Sequence, residues 1–161
     1  MTNQEKALAH KIRVRSCGLL VQDDALLMVY LNAPTREHPF WSVPGGGLQQ
    51  GEKLEDAVRR EFLEETGLTI TTGPLMYVSE FIQHPFHAVE FYFRCYLEQG
   101  DLITGQDPEF EPHHQIIIST EFKSLDRLHE LEIFPEFIRH RFVHDLNNGT
   151  DTPVWIRSNG P

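Results

Sequence analysis

At 161 residues the chain is the size of one domain and long enough to bury a core. Apolar residues make up 40% and charged residues 24%, ordinary for a soluble globular protein. Lys and Arg number 14 against 24 Asp and Glu, a formal net charge of −10 that disfavours a nucleic-acid polymer or an anionic membrane surface as main partner.

Ile12 to Gln22 is strand-like, Asp23-Asp24 punctuates, and Ala25 to Leu31 resumes, which predicts a hairpin. Asn32 to Pro39, holding Pro34 and Pro39, is a loop. Phe40 to Val43 is a short apolar segment stopped by Pro44 and the run Gly45-Gly46-Gly47. Leu54 to Thr66 has helical composition, with Gly67 as its C′ residue. Leu75 to Gln83 is rich in β-formers. His87 to Glu98 alternates, with Val89, Phe91, Phe93, Cys95 and Leu97 on one side and Glu90, Tyr92, Arg94, Tyr96 and Glu98 on the other. Asp101 to His114 is a loop and Gln115 to Ser119 a strand. Ser124 is a candidate N-cap for a short helix through Leu128, and Pro135 a first-turn residue of a helix to His144. Strands mixed with two helices give an α+β chain, a sheet with helices on its faces. One domain is expected over residues 1–146, with 147–161 a C-terminal tail holding at most a short extended piece at Val154 to Ile156.

The two cysteines, Cys17 and Cys95, lie in apolar stretches without CxxC or zinc-ligand spacing, and are expected to be buried thiols in a reducing compartment. The polar start MTNQEKALAHKIRVR has no apolar core of a signal peptide. The longest apolar run, Ala25 to Leu31, falls far short of the roughly 18–20 residues that span a bilayer. A cytoplasmic protein is the expectation.

The chemistry concentrates in Gly46 to Leu68. On a helix Glu61, Glu64 and Glu65 stand at i, i+3 and i+4, so all three carboxylates share one face. Leu54, Val58 and Phe62 form an adjoining apolar stripe, which sets that face beside buried surface. Like charges there repel. A divalent cation removes the conflict, since hard oxygen donors suit Mg²⁺ or Mn²⁺. The opposing reading is a solvated acidic face laced by ordinary pairs such as Glu55 with Arg59 and Asp56 with Arg60. A glycine-rich turn before the helix argues against it, because backbone there can approach a ligand closely.

The spacing also resembles the Nudix box: a glycine, five residues, Glu, seven residues, Arg-Glu, an apolar residue, a free position, Glu-Glu, a free position, Gly and an apolar residue. Gly46, Glu52, Arg60, Glu61, Phe62, Glu64, Glu65, Gly67 and Leu68 fill it without departure. Seven fixed identities at roughly 6% usage each give a chance match on the order of 10⁻⁹ per window. The resemblance implies an α/β/α sandwich with a mixed sheet, and hydrolysis of a small nucleoside-diphosphate-type substrate with Mg²⁺ or Mn²⁺. Position by position it implies metal ligation by Glu61, Glu64, Glu65 and a carbonyl near Gly46. Glu61 is also a candidate for activating water, Arg60 orients the carboxylates, and Glu52 and Gly67 are structural. Some members place a further glutamate in a loop before a late strand, which makes Glu109 and Glu111 candidate bases, with His113 and His114 as candidate phosphate contacts. Arg36, Phe40 and Trp41 are candidate substrate contacts, as are Tyr77, Phe81 and Phe86. His140 and His144 have helical metal spacing without an evident third ligand. Whether the substrate is a nucleoside triphosphate or a nucleotide sugar such as ADP-ribose stays open, as does a homodimer. The alternatives are a catalytically idle nucleotide-binding module of the same fold, and a calcium-binding structural protein, against which the absence of a DxDxDG loop counts.

Overall fold

The computed structural model describes residues 6, 8–108, 110 and 115–157. The strands are β1 (Ile12–Gln22), β2 (Ala25–Leu31), β3 (Phe40–Ser42), β4 (Gly45–Gly47), β5 (Thr69–Gln83), β6 (Phe86–Gln99), β7 (Ile117–Ser124) and β8 (Val154–Ile156). Helix α1 spans Leu54–Thr66. A 3₁₀ turn covers Leu125–Glu130, and a π-helical stretch, Ile138–Phe142, runs into α2 (Val143–Asn148). The sheet runs β3-β2-β1-β6-β5-β8, with β4 paired to β1 and β7 to β2. It is mixed: β1 runs parallel to β6 and β5 to β8, while the other pairs are antiparallel.

Strand alternation sends successive side chains into two cores. On β1 and β2, Leu20 and Leu27 join Val58 and Phe62 of α1, together with Phe93 and Cys95 of β6. Their neighbours Cys17, Leu19, Leu26 and Met28 pack instead with Tyr77, Tyr92, Leu128, Ile138 and Phe142. The sheet therefore lies between α1 and the C-terminal helical segment, the expected sandwich. Both faces of β6 are covered, so Tyr92 (1% exposed) and Glu90 (4%) are as buried as the apolar set opposite them.

Several boundaries differ from expectation. Strand β5 begins at Thr69 rather than Leu75, because Gly73 and Pro74 sit in a register irregularity between Thr72 and Leu75 that the pairing with β6 spans. Strand β7 starts at Ile117 and continues to Ser124, held against β2 from Leu31 to Ala25. The last helix extends beyond His144 to Asn148. Ser124 precedes the 3₁₀ turn, but its hydroxyl bonds Asp126 Oδ1 (2.5 Å) rather than a backbone N–H. The anticipated pair of Asp56 with Arg60 does not form: Asp56 takes Arg59, and Arg60 turns to the box glutamates. In the last residues Val154–Ile156 pairs with Tyr77–Ser79 as an edge strand. Among the described residues no helix is long and apolar enough to cross a membrane.

Candidate active site

Helix α1 begins after Lys53 and ends on Gly67, whose left-handed conformation (φ 72°) lets its N–H donate to Leu63 O at 3.1 Å. Its acidic face turns toward the glycine strand β4. Glu61 (2% exposed) and Glu65 (3%) are buried there, while Glu64 is half-buried. The Glu61 carboxylate lies against Gly46 so closely that any Cβ at that position would collide with it. Gly45 N–H donates to Glu65 Oε2 at 3.0 Å.

Arg60 ties this face together. Its Nε and Nη2 donate to the two oxygens of Glu52 (2.8 and 3.0 Å), a bidentate pair. Nη1 reaches Glu61 Oε1 (2.7 Å) and Glu64 Oε2 (3.1 Å), and Nη2 also meets Gly47 O (3.1 Å). The Arg60 bond holds the Glu52 carboxyl below its usual range, whereas burial pushes Glu61 up to about 7 despite Arg60. Glu65 is raised well above the ordinary value by burial and then by the Glu61 charge beside it.

A residue absent from the sequence-level candidates completes the cluster. Asp107 is 9% exposed, and its charge raises both Glu61 and Glu65. It arrives there because the preceding loop docks on the end of α1. Ile103, Gly105 and Gln106 donate their N–H groups to the carbonyls of Thr66 (2.9 Å), Glu65 (2.7 Å) and Glu64 (3.2 Å). These are carbonyls the helix cannot satisfy itself. Gly105 is required by the close approach, since a Cβ there would run into the Glu64 and Glu65 backbone. Gln115 then clamps the turn, accepting from Asp107 N (2.7 Å) and donating to the carbonyls of Asp107 (3.1 Å) and Phe110 (2.8 Å). Glu109, Glu111, His113 and His114 lie outside the described residues.

Arg60 and Glu61 line a hollow with Gly47, Leu48, Gln49 and Pro108, and next to it lies a cleft of about 820 Å³, its open mouth included, lined by Gly46, Arg15 and Glu90 and by Phe40, Phe81 and Phe86. Asp107 and Phe110 also line it. Trp41 does not: alternation along β3 turns it away from Phe40, and it stacks on Tyr30 (4.8 Å) beneath Lys123 (4.1 Å). Arg36 is not in the lining but lies over the Phe134 ring, 3.9 Å from its centre. Tyr77 is core, its hydroxyl donating to Asp145 at 2.8 Å. His140 and His144 are exposed, and His144 contacts Asp145 (3.3 Å) rather than a ligand set.

These residues fit a divalent cation in kind. Two buried carboxylates disfavoured as anions meet the glycine strand, Glu61 against Gly46 and Glu65 on the Gly45 N–H. Among the described residues no three His, Cys, Asp or Glu donors are already gathered around one point, and Arg60 competes for Glu61 and Glu64.

The NUDIX domain profile matches residues 11–145, from the start of β1 to α2. The chain belongs to the Nudix family. Similar curated proteins include an uncharacterized Nudix hydrolase, YvcI, of Bacillus subtilis, 35% identical over 95 residues that cover 59% of this chain and 57% of that protein. The nucleoside triphosphatase NudI of Escherichia coli K12 is 38% identical over 52 residues, covering 32% of this chain and 37% of NudI. The match thus spans less than two thirds of either relative's length. Among solved structures, a NUDIX hydrolase from Nitrosomonas europaea superposes with a TM-score of 0.71 at 22% identity, covering 89% of this chain and 94% of that one. An ADP-ribose pyrophosphatase from Streptococcus suis gives 0.63 at 17% identity, covering 91% and 98%. Both likenesses speak to the fold.

Proposed function

We propose that this Nudix chain is a pyrophosphohydrolase that cleaves the diphosphate linkage of a small nucleotide by attack of water at phosphorus, and that it requires Mg²⁺ or Mn²⁺. The observation that carries the reading is the burial of Glu61 and Glu65 on one helix face, with half-buried Glu64 beside them and the Asp107 charge acting on both, next to an aromatic-walled cleft that Gly46 and Asp107 line. An idle binding module has no chemical use for repelling buried carboxylates, which favours catalysis over that alternative.

When bound, the cation supplies charge neutralisation for the phosphoryl oxygens and a lowered pKa for water at the site. Glu61, Glu64, Glu65 and the Gly46 carbonyl are the groups that would hold it. Arg60, fixed by Glu52, holds Glu61 and Glu64 in register. Asp107, which lines the cleft and whose charge acts on Glu61 and Glu65, would take a proton from the attacking water; Glu109 and Glu111 are further candidates for that step. Phe40, Phe81 and Phe86 offer flat apolar surface for a nucleobase. Two relatives bear on the substrate: one similar protein is named a nucleoside triphosphatase and one similar structure an ADP-ribose pyrophosphatase. Both substrate types belong in the test. The two buried free thiols agree with a reducing, cytoplasmic setting.

A panel of nucleoside triphosphates and nucleotide sugars, each with Mg²⁺ and with Mn²⁺, is expected to yield a nucleoside monophosphate from at least one member. Product identification locates the broken bond. No phosphoanhydride cleavage across the panel, with a folded protein that binds the metal, would return the chain to the idle-module reading.

A further inference from the structure

We propose that Arg15 is a positioning residue for the cation site, fixing the backbone of Gly45, and through it the Glu65 carboxylate, from the lining of the cleft. This rests on the cation reading given above. Strand β1 lies between β4 and β6, so Arg15 stands opposite Gly47 on one side and Glu90 on the other. Two of its guanidinium nitrogens donate to these flanking strands. Nη1 donates to Glu90 Oε1 at 2.8 Å and Nη2 to Gly45 O at 3.1 Å.

The Glu90 end is rigid. Its second oxygen accepts from Tyr92 Oη at 2.8 Å, and both residues are almost fully buried. The Gly45 end is the one that transmits. Gly45 has φ 153°, and a Cβ there would meet Ser16 O at 2.5 Å, so this backbone conformation is available to glycine alone. Both of its polar groups are engaged: the carbonyl by Arg15, the N–H by Glu65 Oε2. A chain of charge-assisted bonds therefore runs from Tyr92 through Glu90 and Arg15 to Gly45 and on to Glu65. A planar guanidinium sets two directions at once, which an ammonium on a flexible stem does not. Partners of this outer kind typically contribute 10–100-fold in metal affinity or activity.

Arg15→Lys keeps a positive charge beside Glu90 but removes the fork. Isothermal titration of metal-free protein with Mn²⁺ is expected to show affinity about 10-fold weaker or more. At saturating Mn²⁺, kcat falls while KM moves by less than about threefold, the pattern of a misplaced site rather than lost substrate binding. Thermal unfolding checks that the variant is folded. Should it not be, Glu90→Gln, which keeps the shape and an acceptor for Arg15, carries the same titration with a several-fold weakening expected. Unchanged Mn²⁺ affinity in a folded variant, while wild type binds Mn²⁺, overturns the proposal and leaves the cation site standing. So does a raised KM with metal affinity intact, which makes Arg15 a substrate contact. Absence of Mn²⁺ binding by wild type overturns the cation reading itself, and this inference with it.

Discussion

Glu65→Gln is expected to lower kcat by at least ~10²-fold and at the same time to stabilise the metal-free protein. The first effect follows if the proposed anionic ligand at the reacting centre is lost, on the scale measured when one electrostatic partner of a transition state is removed. The second follows from burial. Glu65 is 3% exposed and raised well above its ordinary value, with Glu61 raised to about 7 beside it. A carboxyl raised in the folded state binds more protons folded than unfolded between its two pKa values. Stability attached to it is therefore complete below the unfolded value near 4.5 and is lost as pH rises through the folded one. For Glu61 alone the loss between those limits is on the order of 3 kcal/mol. The glutamine keeps an acceptor for the Gly45 N–H and carries no charge, so the gain in unfolding free energy over wild type should be small at pH 5 and grow toward pH 8. Saturating Mn²⁺ should narrow the difference by stabilising wild type more. Chemical denaturation at the two pH values, beside steady-state kinetics, checks both. Full turnover in the variant, or a metal-free stability gain that does not grow with pH, contradicts the placement of Glu65.

Asp107→Asn is expected to cost about 10²–10⁴-fold in kcat with the apparent metal affinity nearly unchanged, the effect of removing a general base. Glu61→Gln should differ in kind. It removes a proposed ligand from the buried side, so the metal dependence should shift to higher concentration and excess Mg²⁺ should recover part of the rate. The measurement is kcat against Mg²⁺ concentration for these two variants and for Glu109→Gln and Glu111→Gln. A wild-type rate for Asp107→Asn excludes it as the base. A shifted metal dependence for that variant makes it a ligand instead.

The helix and its acidic face were legible because everything that defines them is local: the i, i+3, i+4 spacing, the apolar stripe and the Gly67 stop all lie within α1 and its cap. The Glu52–Arg60 pair, eight residues apart, belongs to the same class. Asp107 was not legible. Its position depends on loop N–H groups finding the carbonyls of Glu64, Glu65 and Thr66, about 40 residues earlier in the chain, and no side-chain pattern announces backbone bonds. Arg15 and Glu90 are 75 residues apart and meet only because β1 and β6 run parallel. Each strand carries other charged residues, Arg13 on β1 and Arg94 and Glu98 on β6, so nothing in the sequence singled out this pair. Phe40 and Trp41 were both offered as substrate contacts although period-2 alternation separates them, since adjacent strand residues cannot both face one cleft. Strand β5 was read six residues short because Gly73-Pro74 looks like a terminus, whereas the ladder with β6 continues past it.

The most direct test of the central claim is turnover of an accepted substrate before and after the divalent metal is removed. Protein treated with excess chelator should lose hydrolysis, and Mg²⁺ or Mn²⁺ added beyond the chelator should restore it, while Glu65→Gln gains little from the same addition. Hydrolysis that continues undiminished in excess chelator would contradict the account, because it would leave Glu61, Glu64, Glu65 and Asp107 without the cation that gives their meeting a chemical purpose.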